Sequence, residues 1–160
     1  MKFKDSYDSA RPYTACFVLL RRGDKIAMVL RKNTGWMDGY YGLPAGKLEY
    51  HETFSTGAIR EALEEAGVTI LEESLHFAHV AHRHAEKDDE FMDWVDVYFE
   101  VSSWEGEPHN AEQEKSERLD WLDMNNLPKN IVPPQLDAIK HITKGEKYSE
   151  YGWNMEHEGL

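Results

Sequence analysis

Apolar positions along the chain follow two rhythms, and the switches between them mark out its elements. Residues 13–20 (Tyr-Thr-Ala-Cys-Phe-Val-Leu-Leu) form a nearly continuous β-prone run, and residues 25–31 form a second. Arg21-Arg22-Gly23-Asp24 lies between them as a turn, so the pair reads as a β-hairpin. Residues 32–46 are rich in glycine and aromatics (Trp36, Gly39, Tyr40, Tyr41, Gly42, Pro44) and read as a loop. From residue 53 to residue 66 the spacing turns helical, with Phe54, Ala58, Ile59, Ala62, Leu63 and Ala66 forming an apolar stripe. Gly57 inside it costs about 0.5–1 kcal/mol relative to alanine, a cost that close approach to a neighbouring strand would justify. Gly67 suits the left-handed position that closes a helix.

Strand-like patterning returns at residues 75–84 and 91–101, joined by the charged connection Lys87-Asp88-Asp89-Glu90. An acidic, proline-containing loop (105–118), a short strand (119–122) and a helix (133–142) follow. Leu136, Ile139 and Ile142 make the helix's inward side. The aromatic tail at 148–153 reads as docked and the last residues as disordered. The order β-β-loop-α-β-β-β-α predicts a mixed α/β domain spanning residues 1–160, without βαβ repetition.

Composition narrows the function classes. A net charge of −12 argues against a general attraction to nucleic acid or to an anionic membrane. A phosphate-bearing substrate stays compatible, because a bound cation reverses the sign locally. Cys16, the single cysteine, lies in an apolar run and reads as a small buried hydrophobe rather than a nucleophile. Residues 1–6 lack an apolar signal region, and no run approaches the roughly 18 apolar residues of a membrane span. A cytoplasmic protein is expected, as monomer or homodimer. Four histidines (His76, His79, His82, His84) fit no standard zinc spacing and read as partly exposed strand residues, with His79 on the face opposite the others.

The chemistry concentrates in the first helix. Glu61 and Glu65 are i,i+4 neighbours and Glu61 and Glu64 are i,i+3 neighbours, so three carboxylates project together. Each like-charge pair costs a helix about 0.2–0.5 kcal/mol. Arg60, four residues before Glu64, offsets part of this. The remaining negative charge suits a hard divalent cation with oxygen ligands, Mg²⁺ or Mn²⁺ rather than zinc.

Gly46, five residues, Glu52, seven residues, then Arg60-Glu61-Ala62-x-Glu64-Glu65-x-Gly67-Val68 resembles the Nudix box, the signature of Nudix hydrolases. Ala62 departs from the larger aliphatic usual there. The resemblance implies a Nudix fold, a mixed sheet sandwiched between helices (α/β/α). It also implies metal-dependent hydrolysis of a nucleoside diphosphate linked to another group, by water attack on phosphorus. By similarity, Glu61, Glu64, Glu65 and the carbonyl of Ala45 hold the metal, and Glu61 or Glu64 also orients or deprotonates the water. Glu52 and Arg60 brace the loop against the helix, alongside Gly46 and Gly67. A distal carboxylate joins the site in some members; here Glu112 and Glu114 are candidates, with Glu114 favoured. Arg31 matches an arginine that touches substrate phosphate in MutT-like members, and Lys47, inside the box, is a further candidate for that contact.

Subclass signatures outside the box speak to the substrate. ADP-ribose hydrolases carry a proline and dinucleoside polyphosphate hydrolases a tyrosine after the box, whereas His82-Arg83-His84-Ala85-Glu86 has neither. The segments 35–46 and 119–128 resemble the MutT-like branch, and substrate choice is expected to rest on the loops around Trp36 and Trp121. Stacking of a base on Trp36 or Tyr40 would contribute about 1–3 kcal/mol. The expected reaction is conversion of a nucleoside triphosphate, normal or modified, to monophosphate and pyrophosphate. Rival readings are a nucleotide-sugar hydrolase, a 5′-triphosphate RNA hydrolase, or a catalytically inactive Nudix nucleotide-binding module; the intact glutamates weigh against the last.

Overall fold

The computed structural model describes residues 10–87 and 90–153. The expectations for residues 1–6, for Asp88 and Asp89 and for the extreme C-terminus lie outside the described residues. Chain order is β1 (Tyr13–Arg22), β2 (Lys25–Arg31), β3 (Tyr41–Gly42), β4 (Ala45–Lys47), α1 (Phe54–Ala66), a 3₁₀ turn (Glu72–Ser74), β5 (His76–Lys87), β6 (Glu90–Val101), β7 (Ser116–Asp123), α2 (Pro133–Thr143) and β8 (Tyr148–Tyr151).

β1 is the central strand, and its continuous apolar run reflects burial on both faces. Cys16, Val18 and Leu20 join one buried cluster with Ala58, Ala62 and Ala66 of α1. Ala15, Phe17 and Leu19 join the other with Ala138 and Ile139 of α2. The sheet is therefore covered by one helix on each side, the α/β/α sandwich. β6 runs parallel along one edge of β1, placing Tyr13 opposite Trp94 and Ala15 opposite Asp96. The other edge is shared: β4 pairs antiparallel with Ala15, Cys16 and Phe17, while β2 meets β1 only at the turn, through Arg21 and Arg22. The hairpin thus forms, but its strands splay because Pro44 and β4 take over the edge of β1, where the Val18 amide donates to the Pro44 carbonyl at 2.9 Å.

Several elements differ from the sequence reading. β3 and β4, of two and three residues, lie inside the stretch read as a loop. They are too short to show a period and exist only because β2 and β1 offer partners. β7 starts at Ser116 rather than residue 119, because β2 extends the ladder as far as Arg31 opposite Ser116. The docked tail is itself a strand, β8, lying parallel to β5 from Val80–Tyr148 to Arg83–Tyr151. His79, expected to be partly exposed, is fully buried. A register shift between Phe77 and His79 accompanies this placement. One ring nitrogen meets the Glu146 carbonyl at 2.8 Å and the other the Ser149 hydroxyl at 2.7 Å.

Thr53 caps α1: its hydroxyl accepts from the Thr56 amide and its own amide donates to the Thr56 hydroxyl, a reciprocal capping box. Gly67 closes the helix at φ 68°. The apolar stripe is narrower than expected, since Leu63 is 52% exposed. Three alanines instead seat the helix close to the sheet. A Cβ on Gly57 would lie 2.6 Å from Leu48 and 3.2 Å from the Cys16 sulfur, which explains that glycine.

Candidate active site

The carboxylates of α1 do not lie opposite the apolar stripe; they divide. Glu61 is buried at 8% exposure, Glu65 is half-buried, and Glu64 points outward. What admits Glu61 beneath the sheet edge is Gly46. Register places Gly46 beside Cys16 on the α1 face of the sheet, and a Cβ there would come within 1.9 Å of Glu61 Oε1. Its neighbours Ala45 and Lys47 alternate to the opposite face, beside Phe17 and Ala15. β4 is therefore the seam between the acidic helix and a cleft on the α2 side.

Arg60 organises the acidic side. Its guanidinium donates to Glu52 at 2.7 and 3.0 Å, to Glu61 at 2.7 Å, to Glu64 at 3.2 Å and to the Lys47 carbonyl at 3.2 Å. This ties the loop before α1, β4 and the helix into one unit. The engagement holds Arg60 well above the usual arginine range, Glu52 being the largest contributor, and depresses the carboxyl of Glu52. Glu65 receives no share of that guanidinium. Among the described residues, the only hydrogen bond to its carboxyl comes from the Ala45 amide at 3.2 Å. Burial first, and the field of Glu61 second, push its carboxyl up to about 8. Burial also raises Glu61, partly offset by Arg60. Cys16 is pushed up to about 12 by burial, with its thiol against the Gly46 carbonyl, and so stays a neutral thiol near neutral pH.

Of the two distal candidates, Glu112 is half-buried with its field reaching this cluster, and Glu114 is exposed. The field of Glu112 raises both Glu61 and Glu65, and the Ala111 amide bonds the Glu65 carbonyl at 3.2 Å, pinning that loop to the end of α1. The turn closed by the Lys115 and Ser116 amides on the Glu112 carbonyl leaves Glu114 exposed. Lys115, which the sequence reading passed over, pairs with Glu112 at 2.7 Å and feels Glu65 and Glu61. Among the described residues, no three His, Cys, Asp or Glu side chains already close around a common point. The donor set nonetheless suits a hard cation. Glu61 is buried and Glu65 half-buried beside it; Arg60 offsets the cost at Glu61 alone, and the Glu65 carboxyl, held near 8, is relieved by added positive charge.

Across the seam, Arg31, Trp36, Ala45, Gly46 and Lys47 line a cleft of about 270 Å³ with residues of β1, β5, β6 and α2. A second hollow of about 370 Å³ adjoins it, sharing Trp36, Lys47, Arg83 and Trp94. Trp36 is presented on a loop fixed by Asp38, whose carboxylate accepts from the Thr34 amide and hydroxyl and the Gly35 amide. Arg31 reaches the Trp36 carbonyl at 3.1 Å and lies 5.1 Å from its ring centroid. Lys47 sits 5.2 Å from the Trp94 ring. Five of the residues read from sequence (Arg31, Trp36, Ala45, Gly46 and Lys47) thus gather at one mouth.

Two do not. Tyr40 lines neither hollow; its carbonyl is used by the Arg31 amide. Trp121 is a partly buried residue of β7 that packs against the core on the α1 side of the sheet, stacked with Trp104 and 4.4 Å beneath Arg22, and it lines neither hollow. Conversely, Arg83, Asp96, Trp94 and Gln135 lie in the cleft and were missed. A signal existed in β6, where Trp94, Asp96 and Tyr98 alternate, setting a carboxylate between aromatics on one face. Arg83 became legible only once β5 paired with β6.

The NUDIX domain family model matches residues 10–142. The chain is 26% identical over 133 residues to the Nudix hydrolase YvcI of Bacillus subtilis (strain 168), covering 80% of this chain and 77% of that protein. It is 26% identical over 122 residues to the 8-oxo-dGTP diphosphatase of Escherichia coli (strain K12), covering 76% and 88%. The crystal structure of a MutT Nudix hydrolase from Burkholderia pseudomallei superposes with a TM-score of 0.72 at 24% identity, covering 82% and 98%, a likeness of fold. The chain therefore belongs to the Nudix hydrolase family, enzymes that act on nucleoside diphosphate derivatives.

Proposed function

We propose that this enzyme is a divalent-metal-dependent nucleoside triphosphate pyrophosphohydrolase, converting a normal or modified triphosphate to monophosphate and pyrophosphate. The observation that carries this reading is the seam at β4. An under-compensated carboxylate pair, buried Glu61 and half-buried Glu65, lies on one side, and a cleft walled by tryptophans and rimmed by Arg31 and Lys47 lies on the other. Glu61, Glu65 and the Ala45 backbone would hold the cation, Mg²⁺ or Mn²⁺, with Glu64 joining by turning away from Arg60. The cation supplies positive charge against the phosphates and acidifies water.

The chain's own residues do the rest. Arg31 and Lys47 bind phosphate oxygens at the mouth, and Trp36 stacks on the base. Arg60 fixes Glu61, so that its carboxylate faces the reacting phosphorus without searching rotamers. The proton of the attacking water passes to Glu61 or Glu64. Incubation with a panel of normal and oxidised nucleoside triphosphates, with Mg²⁺, Mn²⁺ or a chelator, tests the reading. Stoichiometric monophosphate and pyrophosphate, abolished by chelator, is the expected result. Release of orthophosphate, or turnover only of nucleotide sugars, would rule the reading out.

A further inference from the structure

The floor of the cleft carries an ion pair whose presence the fold does not require. Arg83 on β5 donates to Asp96 on β6 through Nε at 2.6 Å and Nη2 at 3.1 Å. The carboxylate is almost completely buried, its side chain 1% exposed, and the guanidinium is 13% exposed. Apolar side chains of similar volume usually serve at least as well as a buried pair for stability. The surrounding floor, Ala15, Phe17 and Tyr98, is apolar or aromatic. The pair also leaves a group over. Arg83 lies 4.6 Å from the Trp94 ring, and its Nη1 makes no hydrogen bond among the described residues.

A second donor faces the same hollow. Gln135 on α2, buried at 7% exposure, accepts the Leu43 amide on its Oε1 at 2.7 Å. With the oxygen so engaged, its amide nitrogen is left to donate. On two lining residues, the Trp94 Nε1 hydrogen and the Tyr98 hydroxyl are buried without a hydrogen-bond partner among the described residues. An unpartnered buried polar group is costly, and such groups mark an absent partner. Every one of these groups can donate, and the one carboxylate present already has both oxygens on Arg83.

We infer that Arg83 and Gln135 are specificity-determining residues that take a carbonyl oxygen of the substrate's base, with Asp96 positioning Arg83. Resting on the nucleotide reading above, this selects bases bearing a carbonyl at purine C6 or pyrimidine C4 (guanine, hypoxanthine, uracil, thymine and their oxidised forms) over adenine and cytosine. Those two present an exocyclic amine at the corresponding carbon, and donor would then face donor.

Two matched pairs exchange that group, together with the hydrogen on the adjoining ring nitrogen: ITP against ATP, and UTP against CTP. In whichever pair turns over faster, the kcat/KM ratio of oxo to amino substrate is expected to be on the order of 10²-fold, as sites that hydrogen-bond a substrate group reject its mismatched analogue strongly. In the double variant Arg83→Met/Asp96→Leu, which removes both charges together, the ratio falls toward unity through KM. Gln135→Met lowers it partially. A wild-type ratio near one, or a ratio unchanged in the double variant, overturns the inference. Binding of IMP, AMP, UMP and CMP without metal, followed by tryptophan fluorescence, reads the floor apart from hydrolysis. Tighter oxo-base binding with no triphosphate turnover sustains this inference while the pyrophosphohydrolase reading fails. Turnover without base preference does the reverse, and no binding of any of the four overturns the inference.

Discussion

Gly46→Ala puts the seam itself under test. Gly46 is not in the left-handed region, so alanine fits its backbone. The conflict is with a side chain alone: the added Cβ would lie 1.9, 2.4 and 2.9 Å from Oε1, Cδ and Oε2 of Glu61. Glu61 must move, although it is 8% exposed and its Oε1 accepts from Arg60 at 2.7 Å. Losing that charge-assisted hydrogen bond in a buried setting costs about 1.5–3 kcal/mol. For a chain of this size that corresponds to roughly 3–12 °C in melting temperature. Urea unfolding of Gly46→Ala, Glu61→Ala and the double variant forms a cycle that isolates the contact. In the Glu61→Ala background the alanine at 46 should cost under about 0.5 kcal/mol, so nearly all its cost appears as coupling. Hydrolytic activity of Gly46→Ala should fall together with that of Glu61→Ala. An equal cost of the alanine in both backgrounds would refute the reasoning, because Gly46 would then matter for the backbone and not for admitting Glu61.

Glu65→Gln should abolish most turnover yet raise the melting temperature in chelator at neutral pH. The Glu65 carboxyl is raised in the fold, so its stability contribution is present at low pH and lost as pH rises from the unfolded carboxyl range, about 4.3, to about 8. The gap between variant and wild type should therefore open across that window and stay level above it; a gap independent of pH would contradict the assignment. Arg60→Met leaves Glu52 and Glu61, with side chains 12% and 10% exposed, without their cation, and should cost about 3–5 kcal/mol in urea unfolding. A cost below about 1 kcal/mol would show that the brace is not structural. His79 is held below the usual histidine range, chiefly by burial. The unfolded chain then takes up a proton that the fold refuses, so stability is lost as pH falls through about 6.5. Hydrogen exchange of the β8 amides should accelerate at pH 5 in wild type and not in His79→Gln; identical acceleration in both would place the sensor elsewhere.

The acidic helix was legible because everything that makes it is local. The cap at Thr53, the left-handed closure at Gly67 and the i,i+3 and i,i+4 spacing of Glu61, Glu64 and Glu65 depend only on residues a turn apart. The Glu52–Arg60 pair also followed from a short, fixed spacing in the box. The same locality fixed the main strands and the second helix, whose apolar periods are long enough to read. β3, β4 and β8 were not legible as strands, since each owes its existence to an edge offered by a distant strand.

The sequence by itself determined the family chemistry: a carboxylate-bearing helix, its arginine brace and the glycine beside it. Tertiary structure decided what those groups meet. Register on β1 turned Gly46 toward Glu61 and Ala45 and Lys47 toward the cleft. Loop closure set Glu112 within electrostatic reach of the acidic cluster and left Glu114 exposed. Sheet packing set Trp121 against the core and Arg83 on Asp96 at the floor. The physical reason is range: helical spacing is set by neighbours in the chain, whereas the face a strand residue takes depends on partners tens of residues away.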